Sequence, residues 1–217
     1  MPSATDSLTY EALTLPPGDL FFTQHRVKEP GVTAQEPFDH FHDMLEVIFF
    51  DQAGGEVEIE GQRHRLANQQ ILILPALCRH NFFIESQPRL DLHMLQIESP
   101  VLATFRHELE LVTPSGFVLV QPEENMYQRL RSLLVWLHEI RNNEIAALRD
   151  DVLRLLMRGL SSLAGHEPSA APQHKGHGPG TFTPLMNSLN LCNSDNFREP
   201  PLAEAARLCH LSKFYFS

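Results

Sequence analysis

The sequence predicts a mainly β protein with helices behind it: an antiparallel β-sandwich or barrel, an antiparallel helix pair, and a partial helix-turn-helix. Three observations carry this. From residue 20 to about 118, short β-rich runs are broken by Gly, Pro and Asn. After that the apolar period changes from two to three and four. From Glu199 the chain reads EPPLAEAARLCHLSKFYFS, a helix, a tight turn and a second helix opening on a serine.

The elements follow in order. Residues 1–20 form a polar, proline-containing lead. The clearest strands are Phe21-Phe22, Leu45–Phe50, Glu56–Glu60, Ile71–Leu74, Asn81–Ile84 and Leu90–Ile97. Glu56-Val57-Glu58-Ile59-Glu60 alternates strictly, with one wet face and one dry, and Gly54-Gly55 before it signals a turn. Met126, Leu130, Leu133, Leu134, Leu137 and Ile140 then repeat at helical spacing. Ile145, Leu148, Val152, Leu155, Leu156, Leu160 and Leu163 do the same, with Asn142-Asn143 between the two sets. This reads as two amphipathic helices, packing either on the β domain or against a second subunit. The domain plan is therefore a β domain over 1–118, a helical segment over 119–164, a linker over 165–180 and an incomplete helix-turn-helix unit over 181–217.

The linker GHEPSAAPQHKGHGPG has no apolar period, so His166, His174 and His177 read as solvated. In the helix-turn-helix unit, Leu202, Ala205, Ala206 and Cys209 make one buried face, and the Ala pair allows a second helix to cross closely. His210-Leu211 makes the turn, and Ser212 caps the next helix. The N-terminal part of such a helix enters the major groove, which singles out Ser212, Lys213, Phe214 and Ser217 as DNA-contacting candidates. Ser217 falls inside that helix, so the unit reads as truncated.

Composition narrows the classes. The 217 residues carry a net charge of −10, all of the excess before residue 181. Residues 181–217 balance Arg198, Arg207 and Lys213 against Asp195, Glu199 and Glu204, so the acidic front is not a nucleic-acid surface. Cys78, Cys192 and Cys209 are scattered and read as reduced, buried thiols. No apolar run is long enough for a membrane span and no secretory signal opens the chain, so a cytoplasmic location is expected. Catalytic signatures such as GxSxG, GxxxxGK[ST] and GxGxxG are absent from the sequence.

One constellation carries chemistry. In His40-Phe41-His42-Asp43-Met44-Leu45-Glu46, a strand would put His40, His42 and Glu46 on one face. Two imidazoles and a carboxylate suit iron, manganese or another divalent metal such as nickel or zinc. Pro75-Ala76-Leu77-Cys78-Arg79-His80 supplies a further histidine. His64, His93 and His107 are isolated and read as surface or core residues.

Two resemblances attach to these residues. The C-terminal stretch, through Glu199, Pro201-Leu202, Ala205-Ala206, Leu211-Ser212 and Tyr215-Phe216-Ser217, resembles the first helix-turn-helix of AraC/XylS regulators. His40, His42, Glu46 and His80 resemble the two motifs of the cupin β-barrel, whose metal-binding members use the matching positions as ligands. The second motif departs from the pattern. Its Pro-x-Gly reads Pro75-Ala76-Leu77, and the Gly-Asp before its strand reads Gln69-Gln70.

The AraC/XylS resemblance implies a cupin-like double-stranded β-helix sensor that binds a small-molecule effector, a homodimer formed through the helices, and DNA as the partner of the complete output domain. In that setting the histidines and Glu46 serve as effector-binding groups or satisfied polar core. The rival is a cupin metalloenzyme, a dioxygenase or isomerase, with the same four residues as ligands.

Overall fold

In a computed structural model the described residues are 9–12, 15, 19–31, 38–86, 89–98, 101, 116–141 and 146–164. The chain divides into two units, Met1–Pro168 and Ser169–Ser217, and everything described lies in the first. The linker, the helix-turn-helix, His107, Cys192 and Cys209 lie outside the described residues.

Among the described residues, ten strands and two long helices follow one another: β1 Thr9–Tyr10, β2 Phe21–Lys28, β3 His40–Phe41, β4 Met44–Gln52, β5 Gly55–Ile59, β6 Gln62–Arg65, β7 Gln70–Leu74, β8 His80–Ile84, β9 Leu90–Glu98, β10 Val118–Val120, α1 Glu124–Ile140 and α2 Ala146–Ala164. They build two five-stranded sheets, ordered β1-β3-β8-β5-β6 and β10-β7-β4-β9-β2. Between β3 and β9 the chain crosses repeatedly from one sheet to the other, and all pairs except β1–β3 are antiparallel. This is the cupin-like barrel with a helix pair behind it. All six expected strands are present. Four more were not read from sequence: β1 and β3 are only two residues each, β6 is wholly polar (Gln-Arg-His-Arg), and β10 falls at the expected domain boundary.

Two cores share one sheet. On β4, Leu45, Val47 and Phe49 face the helices, while Ile48 and Phe50 face the barrel interior. Burial on both faces explains why this strand is a nearly continuous apolar run. Tyr127, Leu130, Leu134, Leu137 and Ile140 of α1 pack with Val152, Leu153, Leu156, Met157 and Leu160 of α2 against the outer wall. Burying each such Leu contributes about 1.5–3 kcal/mol. The helical segment thus shares its core with the β sheet. Two residues assigned to its apolar faces by periodicity are exposed: Met126 at 37% and Leu155 at 55%.

Backbone conformation explains the departures from the second motif. Leu77 (φ 63°) and Gln69 (φ 56°) both occupy the left-handed region that glycine adopts without cost. The turn geometry is retained although its glycines are not. Gly55 (φ 116°) shows the opposite case, since a Cβ there would stand 2.1 Å from the Phe83 carbonyl oxygen.

Candidate functional site

His40, His42, Glu46 and His80 come together, but not as one strand face. The HxHxxxE segment breaks between β3 and β4, where the chain crosses from one sheet to the other. His40 sits on β3 directly opposite His80 on β8. His42 lies in the crossing, held where the Leu77 amide donates to its carbonyl at 2.7 Å. Glu46 is on the inner face of β4, paired with Gln96 of β9 and Leu74 of β7. His42 and His80 are each 1% exposed and Glu46 4%, so these groups must satisfy one another.

The geometry is directional. All three histidines place Nδ1 on a backbone carbonyl: His40 on Phe38 at 2.7 Å, His42 on Met44 at 3.1 Å and His80 on Cys78 at 2.9 Å. Each Nδ1 therefore carries the proton, and each Nε2 is left for the centre. His42 Nε2 lies 3.0 Å from Glu46 Oε2, and His80 Nε2 lies 3.3 Å from the same oxygen. The second contact is misaligned for a hydrogen bond and leaves His80 Nε2 buried without a partner. His40 Nε2 reaches Glu11 Oε2 at 3.5 Å.

Two lone pairs facing one carboxylate need a positive charge between them. A proton on His42 provides it: burial would lower the His42 pKa, but the hydrogen bond and charge of Glu46 outweigh this and raise it. Burial would likewise raise Glu46, yet the hydrogen bond from His42 and the closeness of both His42 and His80 hold its carboxyl well below the usual range. His40 is lowered by burial and by the neighbouring His80.

A divalent ion fits the same place. Bonds of about 2.0–2.1 Å set neighbouring donors roughly 3.0–3.4 Å apart, as found around Glu46 Oε2. One ligand atom from each of His40, His42 and His80 falls within 4.8 Å of the others. Carbonyl-bound Nδ1 atoms are the usual outer support of metal-binding histidines. Cys78 takes no part as a nucleophile, since burial, then Glu60 and Glu46, push its thiol up to about 12.

A second polar cluster lies on the other side of the wall. His25 and His93 stack with centroids 4.1 Å apart and planes 7° apart, and His25 Nε2 meets Asp91 Oδ1 at 2.9 Å. Parallel rings do not aim their in-plane lone pairs at one point, and the Arg131 guanidinium already sits 3.2 Å from His93 Nε2, which argues against a cation here. Instead His93 is buried against α1. Burial, then the charges of His25 and Arg131, lower its pKa to about 4. Arg131 and the Tyr127 hydroxyl both donate to Asp51, tying α1 to the end of β4.

Between the sheets lies a cavity of about 250 Å³. Ile48 and Phe50 of β4, Leu90, Leu92 and Met94 of β9, and Phe82 of β8 give it apolar walls. Glu46, His40 and Gln96 close one end, while Arg26 and Lys28 of the edge strand β2 line the other. Gln96, Arg26 and Lys28 escaped the sequence reading. The signal was there, as alternating Phe22, Gln24, Arg26 and Lys28, but only the pairing with β9 shows which face is inside.

The AraC-like ligand binding domain matches residues 24–157. No curated protein sequence matches the chain. Apo ToxT K231A from Vibrio cholerae strain SCE256 superimposes with TM-score 0.53 at 12% identity, over 90% of this chain and 72% of that one. The AraC-like transcriptional activator CuxR gives 0.51 at 12%, over 79% and 58%. Wild-type ToxT of the same Vibrio cholerae strain, bound to an unsaturated fatty acid, gives 0.51 at 12%, over 94% and 73%. These likenesses are of fold.

Proposed function

We propose that this chain, which belongs to the AraC-like ligand-binding family, is the effector-sensing part of a transcription regulator. The observation that carries the reading is the cavity: an apolar chamber, polar at both ends, whose wall is bonded on its outer side to a helix. An occupant that prefers one arrangement of β2, β4 and β9 also biases α1, because Asp51, His93 and Thr23 on those strands bond Arg131 and His138. ToxT, one of the similar structures, has been crystallised with a bound unsaturated fatty acid. Residues 181–217 would carry the response to DNA, with Ser212, Lys213, Phe214 and Ser217 on the reading helix. Exposed Leu155 and Trp136 on the outer helical faces would pair two subunits.

The test is a thermal-shift screen of small metabolites, repeated on a Leu92→Trp variant that fills the cavity. Compounds that raise the melting temperature of the wild type and not of the variant support the reading. Shifts equal in both place binding elsewhere and overturn it. For the output, Lys213→Ala is expected to weaken retention of operator DNA at low salt, and sedimentation should show a dimer that Leu155→Glu dissociates.

A second reading is favoured by the convergent Nε2 atoms. His40, His42, His80 and Glu46 would hold one divalent ion, which would supply a Lewis-acid anchor at the end of the cavity. Metal analysis after dialysis against zinc or nickel is expected to give one ion per chain, lost in His42→Ala. A metal-free protein at micromolar ion would remove this reading and leave the first intact.

A further inference from the structure

We infer that the cavity takes a bipolar ligand: a carboxylate-type anion at one end, an apolar middle, and an uncharged hydrogen-bonding group at the other. This rests on the effector-sensing reading and names the ligand class it requires. The inner pole is Gln96. Its side chain lines the cavity at 5% exposure and makes no hydrogen bond to any described residue. Its amide faces the open cavity and is not one of the fully buried unpaired polar atoms, so a ligand hydroxyl or amide can meet it in a hydrogen bond worth about 0.5–1.5 kcal/mol. The neighbouring Glu46 is already engaged by His42 and His80, which leaves Gln96 as the open partner on that rung.

The outer pole is Arg26. Among the described residues its one hydrogen bond goes to the neutral Gln24 side chain, at 3.1 Å, and no carboxylate lies within ion-pair distance. Lys28 lines the same end of the cavity. A planar guanidinium on a partly wet rim suits a planar carboxylate.

Register sets the spacing between the poles. Phe22 pairs with Gln96, Gln24 with Met94 and Arg26 with Leu92 on one side of β9. On the other side Glu46 pairs with Gln96, Ile48 with Met94 and Phe50 with Leu92. Arg26 therefore stands four residues along the strand from Gln96, a separation of about 13 Å. The rung between presents Met94 and Ile48 beside Gln24, whose side-chain oxygen already accepts from Arg26, and Leu92 and Phe50 stand on Arg26's own rung.

The experiment compares ω-hydroxydecanoic acid, decanoic acid and decanol, whose extended lengths match that spacing, by calorimetric titration of the full chain. The hydroxy acid is expected to bind about tenfold tighter than either of the others, the equivalent of one well-made buried hydrogen bond. Gln96→Leu should abolish the preference for the hydroxy acid over decanoic acid. Arg26→Gln should weaken both acids severalfold and leave decanol unchanged. Decanol binding as tightly as the acids, or a hydroxyl preference that survives Gln96→Leu, would overturn the inference while leaving a ligand-binding cavity. No binding by any of the three, together with no hit in the metabolite screen, would remove the sensing reading as well.

Discussion

Arg131 on α1 grips Asp51 at the end of β4, with Nε 2.6 and 2.7 Å from the two carboxylate oxygens. Tyr127, one turn earlier, donates its hydroxyl to the same carboxylate at 2.9 Å. One acidic side chain thus joins the wall of the cavity to the helix behind it. Asp51→Asn would leave a guanidinium partly buried beside a neutral amide, and the expected loss is about 1–3 kcal/mol. Tyr127→Phe removes one hydrogen bond from the same carboxylate and should cost about 1 kcal/mol. Urea unfolding of both variants and the double variant checks this: because the two side chains touch, the double variant should lose less than the sum of the single losses.

The pH response should have two limbs of opposite sign. His93 has an ordinary value of 6.5 lowered to about 4 in the fold, so the unfolded chain binds a proton first. Its contribution is complete above about pH 6.5 and falls away toward pH 4, by about 3 kcal/mol at most. His42 is raised in the fold, so its contribution is complete below about pH 6.5 and is lost as pH rises through its raised value. Melting curves across pH 4–8 should show the acid limb flattened in His93→Gln and the alkaline limb flattened in His42→Gln.

Gly159 of α2 allows the helices to cross closely, since a Cβ there would stand 2.2 Å from Leu130 Cδ2. Gly159→Ala gains about 1 kcal/mol of helix propensity and loses about 1–3 kcal/mol to overpacking, a net destabilisation. In a Leu130→Ala background the clash is gone, and the same substitution should stabilise. Chemical denaturation of the four-member cycle measures the difference.

Gln69 sits at φ 56° in the turn that feeds β7. Gln69→Gly is expected to stabilise the fold by about 0.5–1 kcal/mol, because the left-handed cost to an L-residue of about 1–2 kcal/mol exceeds the entropy cost of glycine. The same change at Leu77 should not help, since its side chain is only 9% exposed and burial would be lost. Thermal denaturation of the two variants separates backbone relief from side-chain packing.

Much of this was legible in the chain. Strict alternation in Glu56–Glu60 and helical spacing from Leu130 to Ile140 are local properties, and a local period fixes which face of an element is apolar. His40, His42, Glu46 and His80 were identifiable as a set by residue type and spacing, although the single strand face first inferred for three of them does not exist. What tertiary structure alone decided is which residues meet across elements. His40 faces His80, Gln96 stands between Glu46 and Phe22, and Arg131 reaches Asp51 from 80 positions away. Such pairings depend on strand register and helix docking, which are settled by burying the two cores together. A one-residue slip would turn each of these strands' side chains to the opposite face.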